Sequence, residues 1–288
     1  MSDLTENQTK LSVFDHPRLS EYDRLVYPVV SRRAGGLSLG INLNPEKSCS
    51  YNCVYCQVDR TIKIEHLKLD LEQILSELDY WLKIIQKEGG RFQDQELKDI
   101  SIAGDGEPTL KKILPNLIIR LIKKKEEYGL RNVKLILFTN GTNLTRPDLL
   151  DTFDSFTRNN GEIWFKLDSW DEAGYQKINR SSTPYAKLIS NLVLVGNRYP
   201  VVLQSCFFST NNQKVTPSGF QGYVQLINRL MGDGVKIKQI QVYTTARKPA
   251  ESFVTPLSDV EMDDLHGYLS QRIDCEIMTT YAGGKKSS

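Results

Sequence analysis

Along the 288 residues, short β-rich runs alternate with longer runs whose apolar positions recur at helical spacing. The strand-like runs are Leu37–Leu43, Asp99–Ala103, Val133–Thr139, Glu162–Asp168, Val201–Phe208 and Lys238–Thr244. The helix-like runs are Leu71–Lys87, Leu114–Tyr128, Pro147–Arg158, Tyr185–Arg198, Gly219–Met231 and Ser258–Arg272. Asp70 stands where an N-cap belongs, Pro147 occupies an N1 position, and Ser258 with Glu261 has capping-box spacing. Six βα units in series predict a parallel sheet, because a parallel neighbour needs a crossover and a helix supplies it. Periodicity leaves two architectures open, an open doubly wound sheet and a partial barrel. Both put reactive residues at the C-terminal ends of the strands.

The expected organisation is an N-terminal extension over residues 1–30, one βα domain over 31–275 and a C-terminal tail over 276–288. Hydrophobic residues make up 40% and charged residues 25%, which fits a globular chain. A net charge of +2 gives no global polybasic or polyacidic character. No apolar run approaches the ~18 residues of a membrane span, and the polar N-terminus lacks the apolar core of a secretory signal. A cytoplasmic address and no membrane partner are the expectations. The three histidines, His16, His66 and His266, are scattered.

Five cysteines are present, and three fall within the stretch Cys49-Ser50-Tyr51-Asn52-Cys53-Val54-Tyr55-Cys56, a C-x3-C-x2-C loop after the first strand. An odd, clustered set is a poor disulfide framework and reads as a metal or redox site. Three thiolates can hold three irons of a 4Fe-4S cubane and leave the fourth iron open. The rival is zinc, which needs four closed ligands; His66 is the nearby histidine and no second cysteine pair exists. Cys206 and Cys275 read as free buried thiols.

Two further strand ends carry chemistry. The second runs into Gly104-Asp105-Gly106-Glu107-Pro108, where glycine lets backbone approach a ligand and Glu107 can accept from an ammonium group. On the fourth strand, alternation puts Phe165 and Leu167 on one face and Trp164, Lys166 and Asp168 on the other. If the apolar face meets the helices, Lys166 and Asp168 point inward, either as a structural ion pair or as ligand contacts. Asn140 ends the third strand, and Gln204, Gln239 and Gln241 make the later strands polar on one face.

The cysteine loop, with an aromatic at Tyr55 before the third cysteine, resembles the signature of the radical S-adenosylmethionine (SAM) superfamily. That resemblance implies an α/β fold with a partial (β/α)6 barrel over roughly residues 30–275, its cluster and active site at the C-terminal strand ends. It implies a 4Fe-4S cluster on Cys49, Cys53 and Cys56, and S-adenosylmethionine as the second cofactor. Gly106, Glu107 and Pro108 match the family's Gly-Gly-Glu-Pro element, which meets the methionine amino group, while Asp105 replaces its first glycine. Lys166 would meet the cofactor carboxylate and Asp168 or Ser169 the ribose, with Tyr55, Asn140 and Gln204 as further cofactor contacts. An external one-electron donor of flavodoxin or ferredoxin type is implied.

Ser31-Arg32-Arg33 and Ser38-Leu39-Gly40, followed by the cysteine loop and Gly106-Glu107-Pro108-Thr109-Leu110, resemble the branch holding the tRNA wyosine-base synthases and their bacterial relatives. Those enzymes carry extra N-terminal cysteines, and residues 1–48 here contain none. Three functions follow. One is radical modification of tRNA or another RNA, one is radical modification of a peptide, protein or small molecule, and one is a non-catalytic iron–sulfur electron carrier. Lys111-Lys112 and Lys123-Lys124-Lys125 are the sequence's one hint of phosphate contact.

Overall fold

A computed structural model describes residues 24–31, 33–60, 68–87, 92, 95–211, 213, 215–283 and 286–287. In chain order it holds β1 (Val26–Ser31), β2 (Gly36–Ile41), α1 (Leu71–Gln86), β3 (Leu97–Ile102), α2 (Leu114–Glu127), β4 (Lys134–Thr139), α3 (Pro147–Arg158), β5 (Gly161–Lys166), α4 (Glu172–Ile178), α5 (Tyr185–Gly196), β6 (Val201–Cys206) and β7 (Phe208–Thr210). There follow α6 (Gln221–Gly232), β8 (Ile237–Tyr243), β9 (Val254–Pro256), α7 (Asp259–Ser270), β10 (Ile277–Thr280) and β11 (Lys286–Ser287).

The main sheet has the order β1-β2-β3-β4-β5-β6-β8-β10-β11. From β2 to β10 every pairing is parallel, and β1 and β11 close the two edges antiparallel. All six expected strands and all six expected helices are present. The sheet also takes in β1, which straddles the anticipated boundary at 30, and Ile277–Thr280, which lies beyond the one at 275. Pro28 in β1 is tolerated because the strand is an edge.

The helix ends follow the side chains available. Asp70 accepts from Gln73 N–H at 2.8 Å, and Ser258 and Glu261 form a reciprocal capping box. In α1 the buried positions Ile74, Leu75, Leu78, Trp81 and Leu82 form one stripe against the sheet. Phe165 and Leu167 pack in that main core, between the sheet and the helices. Trp164 faces the opposite way, in a small cluster with Ile136, Val202 and Phe138 on the concave face.

The sheet is curled into a half barrel. One contact makes the curl concrete. Arg33, from the β1–β2 turn, donates through Nη1 to Gln204 Oε1 on β6 at 2.8 Å. In a flat sheet β2 and β6 would stand roughly 19 Å apart, four strand spacings of about 4.8 Å, beyond the span of one side chain.

The concave face is polar. Low on it, Ser38 Oγ donates to Asp99 Oδ1 at 2.5 Å and sits 2.9 Å from Ser101 Oγ. Asp99 Oδ2 has no hydrogen-bond partner among the described residues. Burial pushes the Asp99 carboxyl up to about 6 from the ordinary 3.8, against the hydrogen bonds of Ser38 and Ser101. Since the folded pKa is raised, the Asp99 contribution to stability is greatest below pH 4 and is lost as pH rises through 6. The shift corresponds to about 3 kcal/mol. Asp99→Asn should therefore gain up to about 3 kcal/mol on wild type between pH 4 and pH 8, measured by denaturant unfolding at both values. A difference that does not change with pH would contradict the assignment.

Candidate functional site

A cavity of about 300 Å³ opens at the C-terminal ends of the parallel strands. Cys49, Cys53 and Cys56 line it, with Tyr55, Gly106, Glu107, Asn140, Lys166 and Gln204 from the sequence-predicted set. Pro108, Asp168 and Ser169 are buried and do not line it. Cys206, read from sequence as an isolated thiol, does line it. Cys275 does not. His66 lies outside the described residues.

The cysteine loop is held by elements far along the chain. Asn52 and Val54 N–H groups donate to the carbonyls of Asn179 and Ile178, at 2.9 and 3.0 Å, at the C-terminal end of α4. Tyr51 Oη donates to the Asn140 carbonyl at 3.0 Å, and Glu107 N–H donates to the Ser48 carbonyl at 3.1 Å. Gly106 is forced: a Cβ there would lie 1.8 Å from the Ser48 carbonyl oxygen. The sequence search missed α4, whose seven residues are too few for a helical period to register. Its signal was Asp171, which caps it by accepting from Gly174 N–H at 2.7 Å.

Burial pushes the Cys53 thiol up to about 12, although the Lys166 ammonium pulls it down. Burial also raises Cys49, opposed by the Tyr51 N–H. Asn179 Nδ2 donates to Cys53 Sγ at 3.4 Å and Asn140 Nδ2 to Cys49 Sγ at 3.8 Å. No three His, Cys, Asp or Glu side chains among the described residues converge on one metal ion. The three thiols line one cavity, and side-chain amides donate to the sulfurs of Cys49 and Cys53, contacts of the kind that tune an iron–sulfur cluster. The donor set fits such a cluster.

Glu107 is fully enclosed. Its Oε1 accepts from Thr109 N–H (3.1 Å), Thr109 Oγ1 (2.5 Å) and Thr139 Oγ1 (2.6 Å), and its Oε2 from Asn140 N–H at 2.7 Å. Burial raises its pKa even against these donors. One acceptor position on Oε2 remains for a group in the cavity.

Asp168 is the hub behind the wall. Oδ2 accepts from Tyr55 Oη at 2.5 Å and Asn179 Nδ2 at 2.8 Å, while Oδ1 accepts from Cys206 N–H at 3.0 Å. Lys166 Nζ is 4.0 Å from Oδ1, donates to Tyr243 Oη at 2.9 Å and lies 4.8 Å from the Tyr55 ring centroid. Burial opposes the Lys166 charge, but Asp168, Tyr243, Cys53 and Cys206 together outweigh it and hold the ammonium above the ordinary lysine range. Gln204 is committed on both sides, accepting from Arg33 and donating to Gln241 Oε1 at 2.8 Å.

The basic residues noted in the sequence are mostly engaged. Lys111 pairs with Glu46, Lys124 with Asp79 and Glu127, and Lys125 is buried with Nζ on the Asn159 carbonyl. No helix among the described residues is long and apolar enough to cross a membrane.

The fold and cysteine loop define a radical SAM domain. Residues 43–212 match the model of the Radical SAM superfamily, and the chain belongs to it. A UPF0026 protein of Methanocaldococcus jannaschii is 34% identical over 169 residues, which cover 59% of this chain and 47% of that protein. A UPF0026 protein of Synechocystis is 33% identical over 172 residues, 59% of this chain and 57% of that protein. A protein of Brachyspira hyodysenteriae named GTPase Obg is 26% identical over 294 residues, 95% of this chain and 36% of that protein. The chain thus spans about half or less of the curated relatives first matched. Among solved structures, TYW1 with a lysine–pyruvate adduct bound superposes with TM-score 0.54 at 17% identity, over 81% of this chain and 73% of that one. Streptococcus suis SuiB bound to S-adenosylmethionine gives 0.51 at 14%, over 93% and 61%. At such identities these two show a shared fold.

Asp168→Ala removes the counter-charge of Lys166 and the acceptor of three donors, so it should destabilise the chain by about 3–5 kcal/mol in chemical denaturation. A loss below about 0.5 kcal/mol, as for an ordinary surface change, would refute the hub.

Proposed function

We propose that this chain is a radical SAM enzyme in which Cys49, Cys53 and Cys56 hold a 4Fe-4S cluster with one open iron. The observation that carries the reading is the meeting of those three cysteines with Gly106, Glu107, Asn140 and Lys166 around one cavity. When bound and reduced by an external flavodoxin- or ferredoxin-like donor, the cluster supplies the electron that splits S-adenosylmethionine into methionine and a 5′-deoxyadenosyl radical. The chain's own residues bind and orient. Glu107, fixed by four donors, offers its remaining acceptor position to the cofactor's ammonium. Lys166, held charged by Asp168, faces the cofactor's carboxylate. Gly106 lets the methionyl segment approach the backbone. Asp168 acts as a positioning residue, aligning Tyr55, Asn179 and Lys166. The enclosed wall, with Tyr55 buried against Phe208 at 5.6 Å, excludes water from the reacting atoms.

Lys166 lines the cavity. An ammonium held above its ordinary range is a poor imine-forming nucleophile, so its proposed role is electrostatic and not that of the adduct-forming lysine in TYW1. The substrate is a small molecule, peptide or RNA segment able to enter the same cavity. Lys111, Lys124 and Lys125 are engaged within the chain while Lys112 and Lys123 are exposed, so the basic surface does not choose among these substrates.

A second reading rests on Cys206, whose place on the cavity wall would let it close a four-cysteine cluster for electron transfer alone. Anaerobic reconstitution separates the two. Cys206→Ala should keep about four irons per chain and SAM-dependent 5′-deoxyadenosine formation, whereas alanine at Cys49, Cys53 or Cys56 should abolish both. Loss of the cluster in Cys206→Ala would favour the carrier.

Lys166→Met leaves Asp168 its three hydrogen bonds, so it should spare the cluster and most of the stability. It should weaken S-adenosylmethionine binding, seen as a smaller cofactor-induced rise in melting midpoint. A normal rise in a variant that melts far lower would return Lys166 to a purely structural role.

A further inference from the structure

The cofactor residues named above take up the mouth of the cavity and leave its floor unexplained. That floor is built by the turn between β1 and β2. Since β2 starts at the N-terminal end of the parallel strands, the turn lies at the bottom of the half barrel. Arg33 reaches up from it into the interior. Its guanidinium carbon is 4.9 Å from the Phe138 ring centroid and 5.1 Å from that of Tyr243. Nη1 is tied to Gln204, whose amide donates to Gln241, which donates in turn to Gln239 Oε1 at 2.9 Å. Two rings and an oriented amide ladder hold the group in place. Arg33, Ser38 and Ser101 all line the cavity; Asp99, which accepts from Ser38, does not, and the Arg33 charge acts on it.

Four cationic side chains line the cavity, Arg33, Arg60, Lys166 and Arg247, against two carboxylates, Asp105 and Glu107. Arg60 and Lys166 act on the thiols of Cys49 and Cys53. Arg33, which rises from the floor, acts on Asp99, Cys206 and Tyr243. A guanidinium carries five donors in a planar fork that matches an oxyanion. Fixing it beforehand lowers the entropy cost of using it.

We propose that Arg33 is a substrate-recognition residue that binds an oxyanion, a carboxylate or phosphate of the substrate, at the cavity floor. The inference rests on the reading of this cavity as the enzyme's substrate chamber. The anion anchors one end of the substrate deep in the barrel, and the opposite end lies toward the mouth where the cofactor binds. Phe138 and Tyr243 make the guanidinium rigid.

The test uses the full chain, reconstituted and loaded with S-adenosylmethionine. Thermal midpoints are measured in inorganic phosphate, in acetate and in chloride at matched ionic strength, for wild type and Arg33→Gln. Phosphate stabilises folded proteins generally, so the readout is the difference between the two proteins. Wild type should show a saturable rise over chloride with phosphate, with acetate or with both, and Arg33→Gln should lose it. The anion that gives the rise identifies the substrate's group as tetrahedral or planar. No rise in wild type, or an equal rise in Arg33→Gln, overturns the proposal. If Arg33→Gln does not fold, Arg33→Lys replaces it, since lysine keeps the charge and loses the fork. An undiminished rise there overturns the proposal too. Formation of 5′-deoxyadenosine by the same wild-type preparation is read alongside, so that failure of the radical chemistry is distinguishable from failure of the anion site.

Discussion

The site depends on one buried carboxylate. Asp168, at the end of β5, satisfies Tyr55 from the cysteine loop, Asn179 from the end of α4 and the backbone of Cys206 on β6. It also faces the Lys166 ammonium at 4.0 Å. An unpaired ion in such surroundings would be costly, so the four groups are held to the carboxylate and thereby to one another. Through Asn179 the arrangement reaches Cys53, and through Tyr55 it reaches the stretch between Cys53 and Cys56. A short loop with little regular structure of its own is positioned in this way by three separate elements.

The electrostatics of the cavity follow from its depth. Burial pushes thiols and carboxyl groups toward their neutral forms, as at Cys49, Cys53 and Glu107. Cations on the wall oppose this at the thiols. In the proposed reading, these sulfurs would stay protonated until a cluster is bound, and N–H donors would then stabilise the thiolates. Asn140 and Asn179 are placed to do so.

Much of this architecture was legible in the chain. The alternation of strand and helix patterns led to the parallel sheet, and the two-residue period of β5 correctly turned Trp164 and Lys166 inward with Phe165 outward. The elements that escaped were short or at edges. Strand β1 carries a proline, while β10 with four residues and α4 with seven are too short for a period to stand out. Long-range groupings escaped for another reason. Cys206 lies 150 positions after Cys56 and shares its cavity only because the sheet curls. Arg33 was noticed as part of a motif, but its place between Phe138 and Tyr243 depends on the same curl.

A cluster held by Cys49, Cys53 and Cys56 alone would leave one iron for the cofactor. This is tested most directly by electron paramagnetic and electron–nuclear double resonance on the reduced, reconstituted protein, with S-adenosylmethionine labelled with nitrogen-15 at its amino group. The account predicts a changed cluster spectrum on adding the cofactor and a hyperfine coupling from the labelled nitrogen. A fully loaded, reduced cluster whose spectrum is unchanged by the cofactor and shows no such coupling would contradict it.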